Sequence, residues 1–360
     1  MNYYIHIPFC RNKCGYCAFY SVTGCSDSLC DAFLDKLEID LAQITTPADT
    51  IYIGGGTPTL LSLKQLERVF KLIEKIPRNA GCEISIESNP ETLDADKVSL
   101  ISEHVSRISL GIQSFNANLR QTLGRQSSDI SINNSIELIH NSGFKHFNCD
   151  LIYGIPGSTL GQWQNDLESA IAAGVDHVSC YNLTPEEQSL LGNSFIIDND
   201  AALEMYHIAE ETLSGYGIKR YEISNYAKSG AECQHNINIW KGGKLTAFGP
   251  SAAGFDGKNR YSNVEDLDRW LAGAEPECDI ISDESRCREI FAVNLRTIRG
   301  WQKNMWSPFE KTVSWQEMTT FFNSAMETVP EHFYIIENDN VRLSGYGLLY
   351  WNDIAERIIT

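Results

Sequence analysis

Short β-rich runs alternate in series with stretches of helical apolar spacing over the first two-thirds of this chain, and that alternation limits the fold more than any other feature. Strands are expected at 3–7, 50–53, 83–87, 107–112, 146–152, 176–181 and 219–223. Between them apolar residues recur three and four apart, as in Phe33, Leu34, Leu37 and Leu41, or Leu66, Val69, Phe70 and Ile73. Repeated β–α units point to an α/β protein with a parallel sheet, and this many in series to a full or partial (β/α) barrel. Function in such barrels collects at the C-terminal ends of the strands. That rule assigns the run Gly54-Gly55-Gly56-Thr57-Pro58, the run Glu87-Ser-Asn-Pro90, Gln113 and Asp150 to one mouth, shared with the loop after the first strand.

That loop holds Cys10, Cys14 and Cys17, spaced C-x3-C-x2-C. Three clustered thiolates suit three corners of a four-iron cluster and leave the fourth iron open. Structural zinc takes four protein ligands, and no fourth Cys or His follows at finger spacing, although Cys25 and Cys30 lie nearby. Arg11 and Lys13 favour the thiolate form electrostatically. The glycines of the 54–56 run allow close backbone approach, and their exposed N–H groups can meet an anionic or polar cofactor.

The chain carries 47 acidic and 29 basic side chains, a formal charge of −18, which disfavours nucleic acid and anionic lipid as partners. No apolar run is long enough to span a bilayer, and no secretory leader is expected. Eleven cysteines, among them Cys82, Cys149 and Cys180 in apolar strand-like runs, read as reduced thiols in a cytoplasmic protein. The barrel is expected over residues 1–260, followed by an acidic linker at about 261–284. A small α-rich C-terminal domain over 285–360 completes the expected organisation, with helices near 287–297 and 315–326.

The C-x3-C-x2-C loop after an N-terminal strand, followed by a Gly-rich loop after the second strand, resembles the radical S-adenosylmethionine (SAM) superfamily. The resemblance implies a [4Fe–4S] cluster on Cys10, Cys14 and Cys17 whose open iron chelates SAM. The segments Tyr4-Ile-His-Ile-Pro-Phe-Cys10, Gly54-Gly-Gly-Thr-Pro58, Gly111-Ile-Gln-Ser-Phe115 and Asp150-Leu-Ile-Tyr-Gly-Ile-Pro156 are similar to the coproporphyrinogen III oxidase-like branch. By that resemblance Tyr4, Tyr16, Gly55, Gly56, Thr57, Glu87, Gln113, Arg125 and Asp150 match SAM-site positions.

Within the branch, the oxidase has a further cysteine two residues after the third, where this chain has Phe19. The chain also starts almost at the cluster motif. Both departures favour the HemW-type heme chaperones over the oxidase. That resemblance implies binding of heme, or a related tetrapyrrole, and its delivery to heme-accepting proteins. It leaves open whether the chain is an enzyme, with oxygen-independent coproporphyrinogen III oxidation as the rival reading. His235-Asn-Ile-Asn-Ile239-Trp240 resembles the chaperones' H-N-x-x-Y-W motif, which makes His235 the candidate heme ligand. Ile239 stands in the tyrosine's place, and Ala253 in the place of a histidine usual in the following glycine-rich stretch. His6, His177 and His207 are expected to be structural.

Overall fold

The computed structural model describes residues 1–184, 189, 191, 198–337 and 339–360. In chain order the first part comprises β1 (Asn2–Ile7), β2 (Phe9–Cys10), β3 (Val22–Thr23), α1 (Asp27–Leu41), β4 (Ala48–Gly55), α2 (Leu63–Glu74), β5 (Arg78–Ser88) and α3 (Ala95–His104). It continues through β6 (Arg107–Gln113), α4 (Ala117–Thr122), α5 (Asp129–His140), β7 (His146–Tyr153), α6 (Leu160–Ala172), β8 (His177–Asn182) and α7 (Asn199–Gly215). Then follow β9 (Lys219–Arg220), β10 (Asn225–Ala227), α8 (Gln234–Trp240), β11 (Leu245–Phe248), β12 (Ala253–Phe255), β13 (Arg260–Ser262), α9 (Leu267–Leu271) and β14 (Glu277–Asp279). The C-terminal region holds α10 (Asp283–Asn294), β15 (Trp301–Gln302), α11 (Trp315–Ala325), β16 (Tyr334–Glu337), β17 (Asn340–Leu343), α12 (Gly345–Leu349) and α13 (Trp351–Ile359).

β1, β4, β5, β6, β7 and β8 lie side by side in that order, every neighbouring pair parallel. Parallel neighbours need a crossover, and helices supply it here, which is what the alternating sequence called for. The register pairs Ile51 with Ile84, Ile86 with Ile108, and Leu110 with Cys149. These side chains are buried on the face that packs under the helices. Phe33, Leu34, Leu37 and Leu41 of α1, and Leu66, Val69, Phe70 and Ile73 of α2, enter the same core. Each such side chain contributes roughly 1.5–3 kcal/mol through burial. α2 begins at a capping box in which Ser62 and Gln65 satisfy each other's backbone N–H groups.

The sheet is open. β11 adds to β1 in parallel and β12, β13 and β14 follow antiparallel, while β10 and β9 extend the other edge beyond β8. Among the described residues β14 and β9 are its outer strands, so the arch is a partial barrel. The stretch 261–284 holds most of β13 together with α9 and β14, and Trp270 of α9 packs on Phe33 at 5.2 Å between ring centroids.

The strand expected at 219–223 forms only over Lys219–Arg220 and pairs antiparallel with β10. Beyond it the buried Glu222 carboxylate accepts from Ser224 N–H, Asn225 Nδ2 and Arg296 Nε. These bonds turn the chain out of the ladder and let β10 take the place beside β8.

The C-terminal region is helical around a three-stranded sheet ordered β15-β17-β16. Its core is aromatic: Phe291, Trp301, Trp306, Trp315 and Phe322 pack together, with Trp301 and Trp306 edge to face at 5.1 Å. The indole N–H groups of Trp301 and Trp306 donate to the carbonyls of Phe291 and Val313, which removes the cost of burying them.

Candidate functional site

Side chains alternate across a strand, so every second residue of β6, β7 and β8 faces inside the arch. Those residues are Arg107, Ser109, Gly111 and Gln113, then Asn148, Asp150 and Ile152, then His177, Ser179 and Tyr181, and all of them line one cavity of about 560 Å³. The cysteine loop and the ends of β4 and β5 form the other walls: Cys10, Cys14, Tyr16 and Cys17, then Gly55, Gly56 and Thr57, then Glu87. Arg125 also lines it.

The cysteine loop is tied down at several points. β2 pairs with β3 through Phe9 opposite Val22 and Cys10 opposite Thr23. Gly15 N–H donates to Leu123 O at 3.0 Å, and Cys17 N–H to Cys14 O at 3.2 Å. Gly56 passes so close that a Cβ there would lie 2.6 Å from Phe9 O and 2.9 Å from Cys10 Sγ. Gly55 has φ +113°, and a Cβ on it would meet the His6 ring at 2.7 Å. Glycine is therefore required at both positions.

Arg125 joins this loop to the strand ends. Its Nη2 donates to Asn89 Oδ1 at 2.7 Å and to Gly111 O, and its Nη1 reaches Cys14 Sγ at 3.6 Å. Its buried Nε has no hydrogen-bond partner among the described residues. Burial raises the thiol pKa values of Cys10 and Cys17, and neighbouring thiols add to the shift. Among the described residues no three His, Cys, Asp or Glu side chains converge as the ligands of one metal ion would. The donor set fits a multi-iron cluster: three thiols on one loop facing a shared cavity, with a guanidinium on the Cys14 sulfur.

The strand-end residues form the opposite wall of the cavity. Glu87 Oε1 accepts from Tyr52 Oη at 2.8 Å and Oε2 from Gly55 N–H at 3.1 Å. Burial, with Asp150 close by, pushes its carboxyl up to about 7. Asp150 accepts from Ser109 Oγ at 2.7 Å and Asn148 Nδ2 at 2.8 Å, and burial raises its pKa too. Gln113 sits at φ +71°, a left-handed conformation for a non-glycine residue, beside a register shift between Gly111 and Gln113. Such strained backbone at a strand end re-aims a side chain, here into the cavity. Thr57 Oγ1 accepts from Asn89 Nδ2 at 2.7 Å and lies 3.8 Å from Cys10 Sγ. Tyr16 packs against an apolar group of Leu119, Leu123, Ile152, Ile155 and Leu183.

Two expected site residues lie outside the cavity wall. Tyr4 sits behind it, its hydroxyl 3.0 Å from His6 Nδ1 and its ring 6.2 Å from that of Tyr52. His235 is 3% exposed. Thr50 Oγ1 donates to Asn2 Oδ1 and lies 2.8 Å from His235 Nδ1, so Nδ1 carries the proton and donates to Thr50. The His235 backbone N–H donates to Glu83 Oε1 at 3.2 Å, and its ring packs 5.0 Å from Tyr52. Burial depresses its imidazole pKa to about 3. Cys25 and Cys30 are also absent from the wall.

Ser109, Asn148, His177, Ser179 and Tyr181 complete the wall, although no motif marks them. Their signal is the polar half of each strand's alternation, Arg-Ile-Ser-Leu-Gly in β6 and His-Val-Ser-Cys-Tyr in β8. Phe19 stands beside the cysteine loop at the cavity mouth, 72% exposed.

Residues 4–170 match the Radical SAM superfamily. The heme chaperone HemW of Bacillus subtilis is 33% identical, with 98% of this chain and 97% of that protein aligned. The heme chaperone HemW of Haemophilus influenzae is 31% identical over 100% of this chain and 98% of that protein. Coproporphyrinogen III oxidase HemN from Escherichia coli, described as a radical SAM enzyme, superposes with a TM-score of 0.84 at 21% identity. The superposition covers 100% of this chain and 90% of that one, and shows a shared fold.

Proposed function

We propose, for a chain that belongs to the HemW family of the radical SAM superfamily, that it is a [4Fe–4S]- and SAM-binding heme chaperone. In this reading it binds heme in the cytoplasm and transfers it to acceptor proteins. The observation that carries the reading is one cavity faced by the three thiols and by the strand-end residues Glu87, Gln113 and Asp150. Heme chaperone relatives aligned over nearly the full chain add the cargo.

Cys10, Cys14 and Cys17 hold the cluster in this reading, and Arg125 places positive charge on the Cys14 sulfur. Gly55, Gly56 and Thr57 bring backbone close to SAM; Glu87, Gln113 and Asp150 supply polar groups to it, and Tyr16 flanks it on the apolar side. Tyr4 supports the site from behind, through His6. A bound cluster with an open iron supplies a redox centre and a chelation point for SAM. Residues 1–260 form the unit that holds these cofactors, and residues 285–360, with their own aromatic core, the smaller unit joined through about 261–284.

Heme ligation through His235 requires α8 to part from Thr50 and Glu83, which enclose its ring and backbone. Once freed, the ring would offer Nε2, the nitrogen left unprotonated, to heme iron. Among the described residues no helix is long and apolar enough to cross a membrane. The reading is tested by loading the anaerobically reconstituted protein with heme and following its transfer to an apo-haemoprotein. Stoichiometric binding and transfer are expected; sustained decarboxylation of coproporphyrinogen III with SAM and reductant would overturn the chaperone assignment.

A further inference from the structure

A chain of hydrogen bonds behind Asp150 determines what that carboxylate presents to the cavity. Asn148 and Asp150 follow each other on the inner face of β7, with Ser109 of β6 on one side and His177 and Ser179 of β8 on the other. Asn148 Nδ2 donates to Asp150 Oδ1 at 2.8 Å, and Ser109 Oγ donates to Asp150 Oδ2 at 2.7 Å. Asn148 Nδ2 also approaches Ser109 Oγ at 2.6 Å and Ser179 Oγ at 3.0 Å.

A primary amide can turn over, exchanging its NH₂ for its carbonyl oxygen. Turned over, Asn148 would set an acceptor against Asp150 and leave a buried carboxylate oxygen without its donor. What opposes that is chiefly His177, with Ser179 Oγ a longer second donor to Asn148 Oδ1 at 3.3 Å. The His177 Nδ1 lies 2.6 Å from Asn148 Oδ1, and its Nε2 lies 2.8 Å from Tyr221 Oη. Burial together with nearby Arg107 holds the imidazole neutral, so only one ring nitrogen carries a proton. Asp150 takes the Asn148 amide N–H, so Asn148 Oδ1, which can only accept, faces His177 and assigns the imidazole proton to Nδ1; Nε2 then accepts from Tyr221 Oη, which itself accepts from Cys233 N–H at 3.4 Å. The donors therefore run in one direction, from Tyr221 through His177 and Asn148 to Asp150.

We infer that His177 is a positioning residue for the SAM site: backed by Tyr221, it fixes the Asn148 amide so that Asp150 faces the ligand as a supported acceptor. The ligand class is one with hydroxyl or amine donors, which SAM carries. The inference rests on the reading that Asp150 meets SAM, and it assigns His177 a role where the sequence pattern indicated only a core histidine.

The test is SAM affinity by equilibrium dialysis on the anaerobically reconstituted protein, with iron content measured in every variant. Asp150→Asn probes the underlying reading and is expected to weaken SAM by tenfold or more. His177→Phe is expected to weaken SAM about tenfold, the size of a lost hydrogen bond to a charged-group network. His177→Gln, whose amide N–H can donate to Asn148 Oδ1, is expected to recover affinity to within about threefold. Tyr221→Phe removes one oxygen and keeps the ring, and an intermediate loss is expected; it decides the matter if His177→Phe fails to fold.

A merely structural histidine would show no rescue by glutamine. Wild-type affinity in His177→Phe, or no recovery in His177→Gln, with Asp150→Asn impaired, overturns the inference alone. Unchanged affinity in Asp150→Asn overturns both the inference and the reading beneath it.

Discussion

Sequence motifs mark two regions of this molecule, and the fold treats them in opposite ways. The cysteine loop and the strand-end residues are scattered between Cys10 and Asp150 in sequence, yet they face one cavity. The His235 region is compact in sequence, yet its histidine is enclosed between Thr50, Glu83 and Tyr52. The first region is assembled because parallel strands bring all their C-terminal ends to one mouth. The second lies on the short helix α8, whose packing is decided by what stands behind it. Spacing identifies the residue types that a site uses; whether a ligand can reach them depends on the packing.

The largest effect that would break this contrast concerns the cluster. Cys14→Ser in the anaerobically reconstituted protein is expected to lower iron per chain by more than tenfold, while His235→Ala retains wild-type iron. Iron loss in both variants would make the two regions one site.

Glu87 offers the next test, through pH. Its carboxyl titrates at about 7 in the folded protein, above its ordinary value, because burial disfavours the charged form. A raised carboxyl pKa means that the folded state holds the proton more tightly. Its contribution to stability is complete below the ordinary carboxyl range and is lost as pH rises through about 7. Wild type should therefore lose up to about 3 kcal/mol relative to Glu87→Gln between pH 4.5 and 8, read by denaturant unfolding of the two apo proteins. Parallel pH profiles would contradict the buried-acid description.

How much was legible beforehand differs between the same two regions. Strand positions, the apolar faces of α1 and α2, and the strand-end polar residues followed from alternation and helical spacing, because buried parallel strands leave little freedom to register. Eleven of the residues singled out as cofactor or cluster contacts line the cavity. Tyr4 does not, since it faces His6 one layer behind. His177 was missed as a wall residue because a histidine in an apolar run reads as core, although its alternation partners Ser179 and Tyr181 are inward-facing too. The shortening of the expected strand at 219–223 came from the buried Glu222, whose three donors include Arg296, far away in the chain. Local pattern carries no information about such a partner.

Smaller effects sharpen the contrast further. Gly56→Ala puts a methyl group against Phe9 O and Cys10 Sγ, and should cost about 1–3 kcal/mol and lower cluster occupancy. Gly143→Ala, where nothing lies within 4 Å of an added Cβ, serves as its control. His235→Ala removes the bond to Thr50 and the ring contact with Tyr52, and should cost about 1–2 kcal/mol in denaturant unfolding. Equal stability of the two glycine variants would show that the cysteine loop tolerates what its packing forbids.

The central proposal is that cluster and SAM share the cavity while heme depends on His235, whose ring lies outside the cavity wall although its neighbours Cys233 and Asn236 line it. One measurement addresses it directly: anaerobic heme titration of the iron-loaded wild type and His235→Ala by absorbance, with SAM affinity determined on the same samples. The expected result is loss of heme affinity and of the ligated-iron spectrum in His235→Ala, with SAM affinity unchanged. Heme bound by the variant with wild-type affinity and spectrum, or a parallel fall in SAM affinity, would contradict it.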